Sequence, residues 1–293
     1  MSAGFTFIGV PIDSVGRSGG TEHGPAKLRS LGLADVCGRD AGDLDVRIRG
    51  EERDPETGIV ASPDVLATTV EIRSAVAAAL VDGERPLLAG GCCTELPGAL
   101  AAARDVLGRV GVAYLDGHLD LYDGVTSPTG EAADMPLSVA LGFGPQAWVE
   151  ACGGASVRAD HVVPIGHRDP DELSTLEALR PSLGPGFRPV SRDDVEAEGA
   201  VAVAERVSKE LEASAGHVWL HLDVDVLGDD VFPATDYLLP NGLDIDELVG
   251  LMHSFGRLPS LLGVSIGCYN PEKDPDDACG RALVDALGRS LTT

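Results

Sequence analysis

The sequence predicts a doubly wound α/β fold, and three observations carry that expectation. Short runs rich in Val, Leu and Ile recur along the 293 residues, separated by stretches of helical pattern. Most of these runs are apolar throughout and do not alternate, as strands buried on both faces of a parallel sheet do not. Several end in Gly, Asp or His, and the carboxyl ends of parallel strands are where such folds bind ligands.

The first strand, Phe5–Val10, opens a chain with no basic leader region and no cleavage site, so it reads as structure and not as a signal peptide. A helix over 64–81 precedes a strand over 86–89, which runs into Gly90-Gly91-Cys92-Cys93-Thr94-Glu95 and a helix over 95–107. The strand 110–115 runs into Asp116-Gly117-His118-Leu119-Asp120, and the strand 161–165 into a His167-Arg168-Asp169 loop and a helix over 170–179. A helix over 200–213 leads to the strand 218–222, which runs into Asp223-Val224-Asp225. Helices over 244–255 and 277–291 flank a last strand, 261–266. Gly- and Pro-rich stretches at 16–24, 127–136 and 229–242 are short enough for active-site loops, so one domain over 1–293 is the economical reading.

Composition narrows the partners. Lys and Arg number 22 against 47 Asp and Glu, a net charge of −25. Such a surface repels phosphate backbones and anionic lipid, which argues against nucleic acid and membrane, and it attracts metals or a cationic substrate. No apolar stretch approaches the roughly 20 residues of a bilayer-spanning helix. Cys37, Cys92, Cys93, Cys152, Cys268 and Cys279 show no CxxC spacing and no export signal accompanies them, so reduced thiols in a cytoplasm are expected.

The chemistry sits in two acidic clusters. Asp116, His118 and Asp120 are spaced i, i+2, i+4, and alternate residues of an extended chain point the same way. Asp223 and Asp225 repeat that spacing, with His221 two residues upstream. Four carboxylates and an imidazole converging at strand ends would repel one another, and two divalent cations would neutralise them. Oxygen donors with some imidazole suit Mn²⁺ and similar ions. Two cations sharing carboxylates acidify a water, which points to hydrolysis of a polar carbon centre.

In order along the chain, Gly24-Pro25-Ala26-Lys27-Leu28-Arg29, Gly90-Gly91-Cys92-Cys93-Thr94, Asp116-Gly117-His118-Leu119-Asp120, His221-Leu222-Asp223-Val224-Asp225 and Cys268-Tyr269-Asn270-Pro271 resemble the motifs of the ureohydrolase superfamily, the arginase and agmatinase group. The resemblance implies a three-layer αβα domain with a mostly parallel sheet, a guanidino-type substrate, a binuclear site with manganese as the first expectation, and a homo-oligomer, trimer or hexamer. It assigns one metal to Cys93, Asp116, Asp120 and Asp223 and the other to His118, Asp116, Asp223 and Asp225, with Asp120 also orienting the shared hydroxide.

Three positions depart from the family pattern. Cys93 stands where the family has a ligating His, and a thiolate there favours Zn²⁺, Fe²⁺ or Co²⁺ over Mn²⁺. Ala133 stands where arginases carry a proton-shuttling His, which leaves Glu131 and Asp134 as candidate acids. Cys268 replaces the Glu that pairs with the substrate guanidinium, and Tyr237 falls in the loop near the same group. Glu131, Tyr237, Cys268 and His167 are therefore the candidate substrate contacts. The replacements point away from L-arginine and toward a less basic analogue such as an N-hydroxyguanidine, and Cys in place of that His resembles the branch acting on N-hydroxyarginine. An amide hydrolase using mainly the His118 metal, or a relative without catalysis, are the competing readings.

Overall fold

A computed structural model describes residues 4–14 and 19–291; the part of the expected 16–24 loop before Gly19 lies outside them. In chain order the elements are β1 (Phe5–Val10), α1 (Gly24–Ser30), β2 (Arg39–Asp43), α2 (Ser62–Val81), β3 (Arg85–Gly90), α3 (Leu96–Leu107) and β4 (Gly111–Leu115). Then follow α4 (Pro136–Leu141), α5 (Gln146–Ala151), β5 (Val162–His167), α6 (Leu173–Leu183), β6 (Val190–Ser191), α7 (Arg192–Glu198) and α8 (Ala200–Ala215). The last are β7 (Val218–Asp223), α9 (Ile245–Gly256), β8 (Leu261–Gly267) and α10 (Ala278–Leu291). Every strand and helix expected from the sequence is present, with ends shifted by a few residues.

The eight strands form one sheet in the order β2-β1-β3-β8-β7-β4-β5-β6, every pair parallel. Inner strands such as β1, β4 and β7 are buried at every residue, which is why they read as unbroken apolar runs. The chain moves one way across the sheet through α2, α3, α4, α5 and α6, and back through α7, α8 and α9. Right-handed crossovers therefore place these two sets on opposite faces. The packing agrees: α2 lies against α3 and α5, whereas α9 lies between α8 and α10. This is the three-layer, doubly wound architecture that the sequence predicts.

The topology opens a crevice. The chain leaves β3 through α3 and re-enters the sheet at β4, and β8 and β7 later fill the space between them. The carboxyl ends of β3, β8, β7 and β4 thus lie side by side. Register brings them level: Leu115 pairs with Leu222, Leu222 with Ile266, and Ile266 with Ala89. The residues after these, Asp116, Asp223, Gly267 and Gly90, line the lip where a ligand would sit. Among the described residues no helix is long and apolar enough to cross a membrane.

Candidate metal centre

The two acidic clusters fold by the same local device. Asp116 Oδ1 accepts from the backbone N–H of His118 (2.6 Å), and Asp223 Oδ1 accepts from that of Asp225 (2.8 Å). Each aspartate thus bends its own strand end so that the residue two places on turns into the crevice. The loops are then stitched together: Asp225 Oδ1 accepts from Gly117 N (3.0 Å) and Asp225 Oδ2 lies 3.0 Å from His118 Nδ1. Gly117 is required here, because a Cβ would lie 2.7 Å from the Arg168 guanidinium and 2.9 Å from the Asp225 carbonyl. That guanidinium donates to the carbonyls of Asp225, Val226, Leu227, Leu239 and Pro240, pinning the loop after β7.

Three groups of donor atoms close enough to share an ion result: Asp116, His118 and Asp225; Cys93, Asp116 and His221; and Cys93, Asp223 and Cys268. Cys93 Sγ lies 2.7 Å from Asp223 Oδ2, 3.1 Å from His221 Nε2 and 3.7 Å from Cys268 Sγ. Cys93, Asp116, Asp223 and Asp225 are each at most 4 % exposed, so their charges are poorly screened. Burial and then the charge of Asp225 push Asp116 up to about 6. The same two causes push Asp223 well above the usual carboxylate range. Burial also acts upward on Asp225, but the His118 imidazole and the Gly117 N–H hold it low. Asp116 Oδ2 is buried without a hydrogen-bond partner. An unpaired carboxylate oxygen in a dry site is costly, and a divalent cation among these donors would satisfy it. The residues present fit a metal.

Above this floor lies a pocket of about 290 Å³ lined by His118, Asp120, Ala133, Asp134, Tyr237 and Cys268 among others. Asp134 faces it, its Oδ2 accepting from Ser127 Oγ (2.7 Å) and Thr129 Oγ1 (2.5 Å). Tyr237 faces it too, edge-on to His118 with ring centres 6.2 Å apart.

Three of the expected site residues have surroundings that the sequence does not foretell. Asp120 lines the pocket but belongs to none of the three donor groups. Its backbone is left-handed (φ 50°), and its Oδ2 is taken by the Tyr114 hydroxyl. Glu131 does not line the pocket: it is 4 % exposed and accepts from the Tyr237 hydroxyl (2.5 Å), so it stands behind that ring. His167 lines a separate hollow with Leu173, Arg180, Arg188 and Asp194. The register shift between Ile165 and His167 and the left-handed Gly166 (φ 99°) carry its side chain away from the crevice.

Some contributors escape sequence reading. Glu172 is 2 % exposed and accepts from the backbone N–H groups of Leu119 and Asp120 (3.1 Å for the latter), holding the strained turn; burial pushes it up to about 8. The nearest signal is its place at the start of the helix expected after the 161–165 strand. Tyr114 and Ser265 sit inside apolar strands and give none.

The model of the arginase family matches residues 3–291. The chain belongs to the arginase family. It is 30 % identical over 291 residues to an arginase of Bacillus caldovelox, covering 97 % of this chain and 96 % of that one. An arginase of Bacillus subtilis is 27 % identical over 305 residues, with 99 % and 100 % covered. The solved structure of the Bacillus caldovelox arginase superposes with a TM-score of 0.92 at 25 % identity, covering 100 % of this chain and 99 % of that one. This arginase-family chain is thus a metal-dependent hydrolase of guanidino or amidino C–N bonds.

Proposed function

We propose that this arginase-family enzyme hydrolyses the C–N bond of an N-hydroxyguanidine, of the N-hydroxyarginine type, in preference to L-arginine. Two divalent cations would be held by Asp116, His118, Asp223, Asp225 and Cys93, with manganese the first expectation for the oxygen-rich group and zinc, iron or cobalt admitted by the thiol. When bound, the cations supply Lewis acidity and an acidified water. The chain's own residues do the rest. His118 is oriented by Asp225; Asp120, held by Tyr114 and the Glu172 turn, lines the pocket where it would orient the nucleophile; and Asp134, on the pocket wall beside Ala133, would carry a proton to the leaving nitrogen. Tyr237, backed by Glu131, packs the substrate's polar head over His118.

The observation that carries this reading is at Cys268. Its sulfur points at Cys93, 3.7 Å away, so this position offers a guanidinium no carboxylate, and an unpaired buried cation is costly. An N-hydroxyguanidine is less basic and needs neither a full counter-charge nor an imidazole at Ala133. Six free cysteines fit a reducing cytoplasm, and a trimer or hexamer is carried over from the family. The test is kcat/KM for L-arginine against N-hydroxy-L-arginine, reading urea and hydroxyurea release. The hydroxylated substrate should win by at least about tenfold, a difference of about 1.4 kcal/mol in transition-state binding. Equal or faster turnover of L-arginine would sink the substrate assignment.

A further inference from the structure

His221 looks at first like a metal ligand, since Nε2 lies beside Cys93 and Asp116. The hydrogen-bond chain behind it argues otherwise. Tyr114, His221 and Ser265 are register partners across β4, β7 and β8, and Tyr114 stacks on the imidazole at 4.9 Å. Trp219 Nε1–H, which can only donate, donates to Ser265 Oγ (2.9 Å). Ser265 is fully buried, and its remaining contact is His221 Nδ1 at 2.7 Å. The serine proton therefore goes to Nδ1, the imidazole proton sits on Nε2, and Nε2–H donates to Cys93 Sγ (3.1 Å). A nitrogen carrying a proton does not ligate. His221 instead holds Cys93 as a hydrogen-bond acceptor, the supporting role that ligand partners commonly play.

What remains around Cys93 is a second sulfur and a carboxylate. Cys268 is held in the left-handed region (φ 69°), with its N–H on the Gly91 carbonyl (3.0 Å). Between the two cysteines lies Gly267, where a Cβ would sit 3.3 Å from Cys93 Sγ and 3.1 Å from the backbone of residues 92 and 93. The missing side chain lets the loop after β3 close on the end of β8. The resulting 3.7 Å between sulfurs matches the edge of a tetrahedral zinc site, about 3.8 Å for Zn–S bonds of about 2.3 Å.

We infer that Cys93, Cys268 and Asp223 form a sulfur-rich cation position, supported by the His221 N–H, that selects zinc-like ions beside the oxygen- and imidazole-rich position of Asp116, His118 and Asp225. The inference rests on the reading that cations bind in this crevice, and it moves Cys268 from substrate contact to ligand. The two positions would then differ in kind, one soft and one hard.

The test uses the intact, reduced, metal-stripped protein given one equivalent of Zn²⁺, with the sulfur count read by X-ray absorption at the zinc edge. About two sulfurs per zinc at about 2.3 Å are expected, falling to about one in Cys268→Ser. One sulfur in the unaltered protein would overturn the role of Cys268 while leaving cation binding at Cys93 intact. No sulfur would overturn both. Because the decisive spectrum is that of the unaltered chain, a misfolded variant cannot mask the answer.

Discussion

At the scale of single residues, what a side chain can do follows from which way the backbone aims it. His167 shows this most simply: the shifted register at the end of β5 sends it into a hollow with Arg180, Arg188 and Asp194. Burial lowers it to about 4, with Asp194 pulling the other way. Its folded value lies below the unfolded value of about 6.5, so between these limits the unfolded chain binds more protons. Stability from this group is complete above about pH 6.5 and is lost as pH falls toward 4. The loss amounts to at most about 3 kcal/mol. His167→Gln should flatten that part of the stability–pH curve, measured by urea unfolding between pH 4 and 7. An unchanged slope would show that another group sets it. Residues at and behind the pocket obey the same logic, since Asp120 is turned by a left-handed backbone and Glu131 is screened behind Tyr237.

At the scale of elements, helix termini decide how firmly the strand ends that carry the site are held. The helix α9 links β7 to β8, and hence Asp223 to Cys268. It starts with a reciprocal cap: Asp244 accepts from Glu247 N (2.7 Å), and Glu247 accepts from Asp244 N (3.0 Å). Asp244→Ala should destabilise the protein by about 1 kcal/mol, read from the denaturation midpoint, while leaving the zinc sulfur count unchanged. No shift in midpoint would mean the cap contributes nothing net. The same scale explains which elements the sequence revealed. Inner strands are apolar on both faces and announce themselves. The edge strands do not: β2 is Arg-Asp-Ala-Gly-Asp and largely exposed, and β6 has two residues. The helices α1, α4, α5 and α7 have six or seven residues each, too few turns to display a period. At the site, the strand-end aspartates were legible because the strands before them were. The hydrogen-bond chain behind Cys93 was not, because His221 meets Ser265 only through the register of β7 on β8, which no local spacing encodes.

At the scale of the whole molecule, a chain of net charge −25 concentrates four buried carboxylates on one lip of its sheet. The ends of β4 and β7 each contribute two of these carboxylates, which oppose one another, and the hydrophobic packing of β3, β8, β7 and β4 prevents them from separating. Cations bound there would therefore act as a structural clamp across four strands as well as supplying chemistry. Ligands that bind only the folded state stabilise it by mass action, by about 2.7 kcal/mol for one site at a hundred times its dissociation constant. For a chain of this size each kcal/mol moves the melting midpoint by about 2 °C or somewhat more. Removing divalent ions with a chelator should thus lower the midpoint by at least about 5 °C, and returning one divalent ion should restore part of it. Adding both a soft and a hard ion should restore it fully, because the crevice offers one donor group rich in sulfur and another in oxygen and imidazole. A midpoint indifferent to chelation would mean that packing alone holds the carboxylates together, leaving the orphaned Asp116 oxygen unexplained by a cation.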